Sequence, residues 1–251
     1  MQFEPMIKAR INSFMTNHAL SNMKEDKLFE LFVNDAILRS HQPDISVTED
    51  SLLDECSVGG ADDMGIDGIA IKVNGLFVST EQDIDELIEL NKQLSIEFIF
   101  VQSKNKDKLD SGEFGKFADG ITDFLSDNHL EPHNEKIDAL LQLKDYLFSD
   151  KIILRWKANP IVRVYYVILG QWRDSKHIEA KRDKLRQDII ELQSYEGVYF
   201  NFVDSTVLKK MCEENENSFS AVLNAIDNFG LTEVSGVENS LIVLFPASEL
   251  I

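Results

Sequence analysis

The stretch Glu97 to Lys104, EFIFVQSK, sets the terms on which the rest of the chain can fold. Its Phe, Ile and Val residues favour a strand, and a strand this apolar has to be buried. Side chains alternate along a strand, so Phe98 and Phe100 anchor the core on one face, and Gln102 and Lys104 emerge on that face at its C-terminal rim. Val101 and Ser103 point the other way. The sequence therefore asks for a packed sheet with two polar groups projecting together from its edge.

The flanking sequence supplies that sheet and its cover. Within Asp26 to Leu38, residues Leu28, Phe29, Phe32, Val33, Ala36 and Ile37 recur at helical spacing, with Glu30 at the edge of the stripe. A polar loop from Ser57 to Gly65 follows. Ile69 to Val73 and Leu76 to Ser79 then read as strands joined at Asn74-Gly75, two residues that tolerate positive φ. Asp83 to Leu94 and Glu113 to Leu125 read as helices, Arg163 to Leu169 as a strand, Ser175 to Gln193 as a charged helix and Val198 to Val203 as a short strand. Strands interleaved with helices imply an α/β fold, a central mixed sheet flanked by helices. With 251 residues, 43% of them hydrophobic, no internal repeat and no low-complexity linker, the expectation is one continuous domain over 1–251. Its core motifs fall in 28–125, and further strands and helices in 150–230.

Several classes of function are disfavoured. No apolar run approaches about 18 residues, and the N-terminus carries charges where a secretory signal would be apolar, so the reading is a cytoplasmic protein with no membrane association. Cys56 and Cys212 lack metal-knuckle spacing and read as buried, reduced thiols. Pro132 interrupts the helix that a metal pair of His129 and His133 would need, so they read as loop residues. Trp156 and Trp172 read as packing residues. The net charge of -19 is unusual for a partner of nucleic acid, but it is segregated: residues 151–190 hold 10 Lys+Arg against 4 Asp+Glu. Because screening limits exposed charges to roughly 8 Å at physiological salt, this basic stretch can meet a phosphate backbone while acids elsewhere face away. Arg173, Lys176, Lys181 and Lys184, with Lys116 on the helix after the strand, are the candidate nucleic-acid contacts.

Asp67 lies in Gly65-Ile66-Asp67-Gly68, at the entrance to the first strand, where glycines permit close approach of a ligand or a neighbouring backbone. Asp62 and Asp63 read as loop residues. An aspartate, an amide oxygen and a lysine converging on a sheet edge suit phosphodiester hydrolysis. Hard oxygens would hold Mg²⁺ or Mn²⁺, and the Lys104 ammonium would orient the attacking water or stabilise charge on the phosphate.

The string GGADDMGIDGIAI followed by FIFVQSK resembles the core of the PD-(D/E)xK nuclease superfamily, in the Mrr-like variant in which Gln replaces the acid of the D/ExK element. The wider pattern, LFELFVNDAIL, GGADDMGIDGIAIKVNG and FIFVQSKNKDKLDSGEFGKFADGITDFL, resembles the N-terminal part of abortive-infection phage-resistance proteins. The resemblance implies a restriction-endonuclease-like core and a metal-dependent nuclease acting on nucleic acid, DNA foremost, in phage defence. It assigns Asp67, Gln102, the Ser103 carbonyl and Glu30 to the metal and Lys104 to the motif lysine. It also implies that this chain is the N-terminal portion of a longer protein or a short form, and it leaves room for a homo-oligomer. The alternative is a catalytically inactive nuclease-like module that binds nucleic acid or protein.

Overall fold

The computed structural model describes residues 4–43, 50–106, 110–172, 175–217, 226–230 and 241–246. The chain divides into two compact units, Met1–Asn217 and Ser218–Ile251. In the second unit, β6 (Asp227–Gly230) and β7 (Leu241–Leu244) pair antiparallel.

The first unit is built on a five-stranded sheet of order β2-β1-β3-β4-β5, comprising β1 (Gly68–Val73), β2 (Leu76–Val78), β3 (Ile96–Lys104), β4 (Ile161–Ile168) and β5 (Gly197–Val203). The expected mixed sheet is present. β1 pairs antiparallel with both β2 and β3, whereas β3, β4 and β5 run parallel. Asn74 and Gly75 take φ of 52° and 88° and close the expected hairpin. The EFIFVQSK strand holds the centre, and Phe98, Ile99 and Phe100 are fully buried.

Both sheet faces are covered. α4 (Glu81–Leu90), α5 (Ser111–Leu125), α6 (Glu135–Leu147), α7 (Asp150–Ile153) and α8 (Lys176–Glu191) contribute to one core, where Phe114, Phe117, Phe124, Leu141 and Leu185 meet Phe98, Phe100, Val164 and Tyr166. Trp156 and Trp172 pack against this core, as expected of packing residues. On the other face α1 (Pro5–Asn17), α2 (Glu25–His41) and α9 (Ser205–Asn217) bring Ile11, Phe29, Phe32, Val33, Ile37, Leu208 and Cys212 onto Ile99, Val101, Tyr165 and Val167. α3 (Asp50–Cys56) leads into the loop before β1. Cys56 and Cys212 are buried and unpaired, as read from the sequence.

Local chemistry fixes where the elements start. Asp110 caps α5 by accepting from the amides of Gly112 and Glu113 at 2.7 and 3.0 Å. Asn134 caps α6 in the same way, and its amide group donates to the carbonyls of Val58 and Ala61, tying that helix to the loop before β1. Asp63 shapes the same loop, its carboxylate accepting from the amides of Gly60 and Gly65 at 2.8 Å each.

The loop then lies directly on α5. A Cβ at Gly120 would sit 2.0 Å from the carbonyl oxygen of Met64, which is backbone and cannot swing aside. Gly120→Ala is therefore expected to lower the unfolding free energy by about 2 kcal/mol, within the range for overpacking a filled interior, as read by urea denaturation. A variant as stable as the parent would show that this loop and helix separate at no cost.

Candidate active site

Antiparallel pairing sets Gly68 opposite Val101, so Asp67 stands opposite Gln102 at the point where β1 begins. The Asp67 backbone is held on both sides. Its amide donates to the Val101 carbonyl at 2.9 Å, and its carbonyl accepts from the amides of Val58 and Gly59 and from Nδ2 of Asn34 at 3.1, 3.3 and 3.1 Å. The residue is 4% exposed. Its carboxylate Oδ2 accepts from Gln102 Nε2 at 2.7 Å, from the Ser103 amide at 2.7 Å and from Ser103 Oγ at 3.0 Å. Those bonds form where β1 begins its pairing with β3, at Gly68 opposite Val101, beside the Gln102–Lys104 segment.

Glu30 comes to the same place from α2. Its Oε2 lies 3.0 Å from the Lys27 ammonium, which also donates to the Gly59 carbonyl at 2.7 Å. A Cβ at Gly59 would lie 3.1 Å from Glu30 Oε2, 3.2 Å from Lys27 Nζ and 3.3 Å from the Asp67 α-carbon. The glycine is what lets these groups crowd together.

Burial pushes the Asp67 carboxyl up to about 7, and the nearby Glu30 charge adds to the rise; Lys104 and the two bonds from Ser103 oppose it. Asp67, Gln102, Ser103, Lys104 and Glu30 thus influence one another within a single small region.

The residues fit a hard cation in chemical type. All the bonds to the Asp67 carboxylate end on Oδ2, and among the described residues nothing donates to its Oδ1 or to Oε1 of Gln102. A carboxyl raised first by burial and further by a neighbouring carboxylate would be relieved by a divalent ion. Among the described residues no three His, Cys, Asp or Glu side chains converge as a metal cluster. A bound ion would instead draw on two carboxylates, the Gln102 amide oxygen and the Ser103 carbonyl, a set suited to Mg²⁺ or Mn²⁺.

The candidate phosphate contacts are placed unevenly. Lys116 is exposed on α5 and lines a groove with Asp62, Asp63, Asp119 and Glu131. Lys181 is half-buried, and its ammonium packs over Gly115 at the start of α5. Lys184 lies 3.8 Å from both Asp119 and Asp188, so neighbouring acids already engage it. Lys176 is exposed at the first turn of α8, and Arg173 lies outside the described residues. Because α8 follows β4 in a parallel crossover, its N-terminal half begins at the sheet edge that carries Gln102 and Lys104.

Sequence pattern alone does not single out Lys27 or Asn34, though their spacing from Glu30, three residues before and four after, puts all three on neighbouring turns of α2. Nor does it mark Tyr166, which pairs in register with Gln102 and whose buried hydroxyl has no partner among the described residues. His129 and His133 instead meet the Asp123 carbonyl and Asp138.

The raised Asp67 carboxyl has a sign that can be checked. Between the ordinary value of 3.8 and about 7 the native state holds a proton that the unfolded chain has released, so stability falls as pH rises through that window. In metal-free buffer Asp67→Asn is expected to melt several degrees above the parent at pH 8 and with it at pH 4. Equal melting differences at both pH values would remove the buried-charge account.

No protein-family model, curated protein or solved structure matches the chain, so the chemistry of this site rests on its geometry.

Proposed function

We propose that the chain is a metal-dependent nuclease that hydrolyses phosphodiester bonds, with DNA as the leading substrate and phage defence as the setting that the sequence resemblance implies. The observation that carries the reading is the Asp67 carboxylate. It is buried, held by Gln102 and Ser103 and kept near neutrality beside Glu30, with Lys104 on the same strand as its partners. The succession of an antiparallel β1-β2-β3 unit, the helix α5 and a parallel β4 also suits a restriction-endonuclease-like core.

Asp67 and Glu30, with the Gln102 amide oxygen and the Ser103 carbonyl, would hold Mg²⁺ or Mn²⁺. When bound, such an ion would acidify water and neutralise charge on the scissile phosphate. Hydrolysis adds water oxygen to phosphorus, breaks one ester P–O bond and returns a proton to the departing oxygen. Lys104, as a cation at the rim, would meet the charge that gathers on the phosphoryl oxygens as the new bond forms. The fixed hydrogen bonds to Oδ2 hold Asp67 in place before substrate arrives, which lowers the cost of organising the site.

A second reading is favoured by one specific contact. Gln102 turns its amide NH₂ toward Asp67 and so occupies Oδ2 without an ion. That arrangement also suits a catalytically silent nuclease-like module that binds nucleic acid or a protein.

Incubation with supercoiled plasmid, linear duplex and RNA, with and without Mg²⁺ or Mn²⁺, separates the two readings: cleavage that needs the metal is expected. Asp67→Ala should abolish that cleavage while the protein stays folded. Lys104→Ala should lower turnover by roughly a hundredfold with substrate affinity nearly unchanged. Parent-like cleavage by Asp67→Ala would move the site elsewhere, and binding without cleavage under every metal would favour the silent module.

The α8 lysines have their own test. If Lys181 and Lys184 engage phosphates, replacing both with Glu weakens binding and flattens the salt dependence by about one unit for each phosphate released. An unchanged slope would leave them as solubilising residues.

A further inference from the structure

Asn34 is the buried polar side chain for which the core offers least reason. It is 2% exposed, and its neighbours include Leu38, Ala70, Ile99 and Val101. Its Nδ2 donates to Ser57 Oγ at 3.0 Å and to the Asp67 carbonyl at 3.1 Å. Its Oδ1 is buried with no hydrogen-bond partner among the described residues, an arrangement that costs stability. It also dictates the residue across from it, because a Cβ at position 68 would lie 2.5 Å from that oxygen. An apolar side chain would leave no unsatisfied oxygen there, so the amide requires another explanation.

Glu30 and Asn34 are one turn apart on α2 and project from the same side of the helix. One brings its charge to bear on the Asp67 carboxyl, and the other bonds to the carbonyl of the same residue. We infer that Asn34 is a positioning residue that locks α2 to the start of β1 and thereby sets the spacing of the Glu30 and Asp67 carboxylates. The inference rests on the metal-site reading above. The Ser57 hydroxyl is the other acceptor of Nδ2 and stands apart from the Asp67 carboxylate's own partners, so it serves as a control. The Val58 and Gly59 amides also bond to the Asp67 carbonyl, yet they come from the loop. Of these three bonds to the Asp67 carbonyl, the one from Asn34 is the one that comes from the helix.

The test is Mn²⁺ binding followed by electron paramagnetic resonance on the intact protein, with folding checked by circular dichroism and thermal melting. Asn34→Leu is expected to melt at or above the parent temperature while its Mn²⁺ dissociation constant rises about tenfold or more, as for removal of an outer partner of a metal ligand. Gly68→Ala displaces the amide from the strand side and should weaken binding similarly, which keeps the test available if Asn34→Leu does not fold. Ser57→Ala should bind as the parent does. A folded Asn34→Leu or Gly68→Ala that binds Mn²⁺ as tightly as the parent overturns the inference alone. So does a Ser57→Ala loss as large as that of Asn34→Leu, since the role would then be general packing. A parent protein that takes up no Mn²⁺ overturns the metal-site reading, and the inference with it.

Discussion

Asp67 is a carboxylate in an interior place, and much around it is arranged to make that tolerable. An unpaired charge there would be expelled or neutralised. Here one oxygen receives a backbone amide, a hydroxyl and a side-chain amide, all from two consecutive residues of β3. The compensation is incomplete: burial, with the Glu30 charge adding to it, holds the carboxyl up at about 7. This residual conflict is local. The same residue takes part in the first β1-β3 bond and receives α2 through its carbonyl, so the place where the sheet starts is also the place where charge is least settled.

The parts of the fold legible in the sequence are those with strong short-range pattern. The central strand, the Asn74-Gly75 hairpin and the apolar stripe of Leu28 to Ile37 all stand where periodicity and turn chemistry put them. Helices α1 and α9 escape such a reading. Ile7, Ile11 and Phe14 bury one side of α1, but polar residues separate them and the stripe is thin; in α9 only Leu208 and Cys212 are buried among the described residues. These helices are held chiefly by what they pack on, which propensity does not encode. Asp67 and Gln102 can be paired from sequence because a strand register is easily counted. The links from Asn34 and Lys27 depend on how a helix crosses a sheet and have no such signal.

Charge follows a similar division. Acids dominate the chain as a whole, yet Lys181 sits over Gly115 beside α5 and Lys176 opens the helix that carries it. The bare glycine leaves room for the Lys181 ammonium against α5. The acids near Lys184 and Lys116 offset part of that field. The surface is thus a patchwork on the scale of a few residues, finer than any segment count reveals.

The change from antiparallel to parallel pairing at β3 has a consequence for how the molecule is made. Glu30, Asn34, Asp67, Gln102 and Lys104 all lie at or before the end of that strand, and their contacts close within β1, β3, α2 and the loop before β1. A ribosome therefore delivers the whole cluster before β4 exists. Until Ile161–Ile168 emerges, the other side of β3 presents unpaired amides and carbonyls flanked by Phe98 and Phe100, an open edge able to capture another chain. Nascent chains are thus most exposed to mispairing while α5 and α6 are being synthesised, and the contact of Phe124 on α5 with Phe100 is the one that would cover that strand's apolar face.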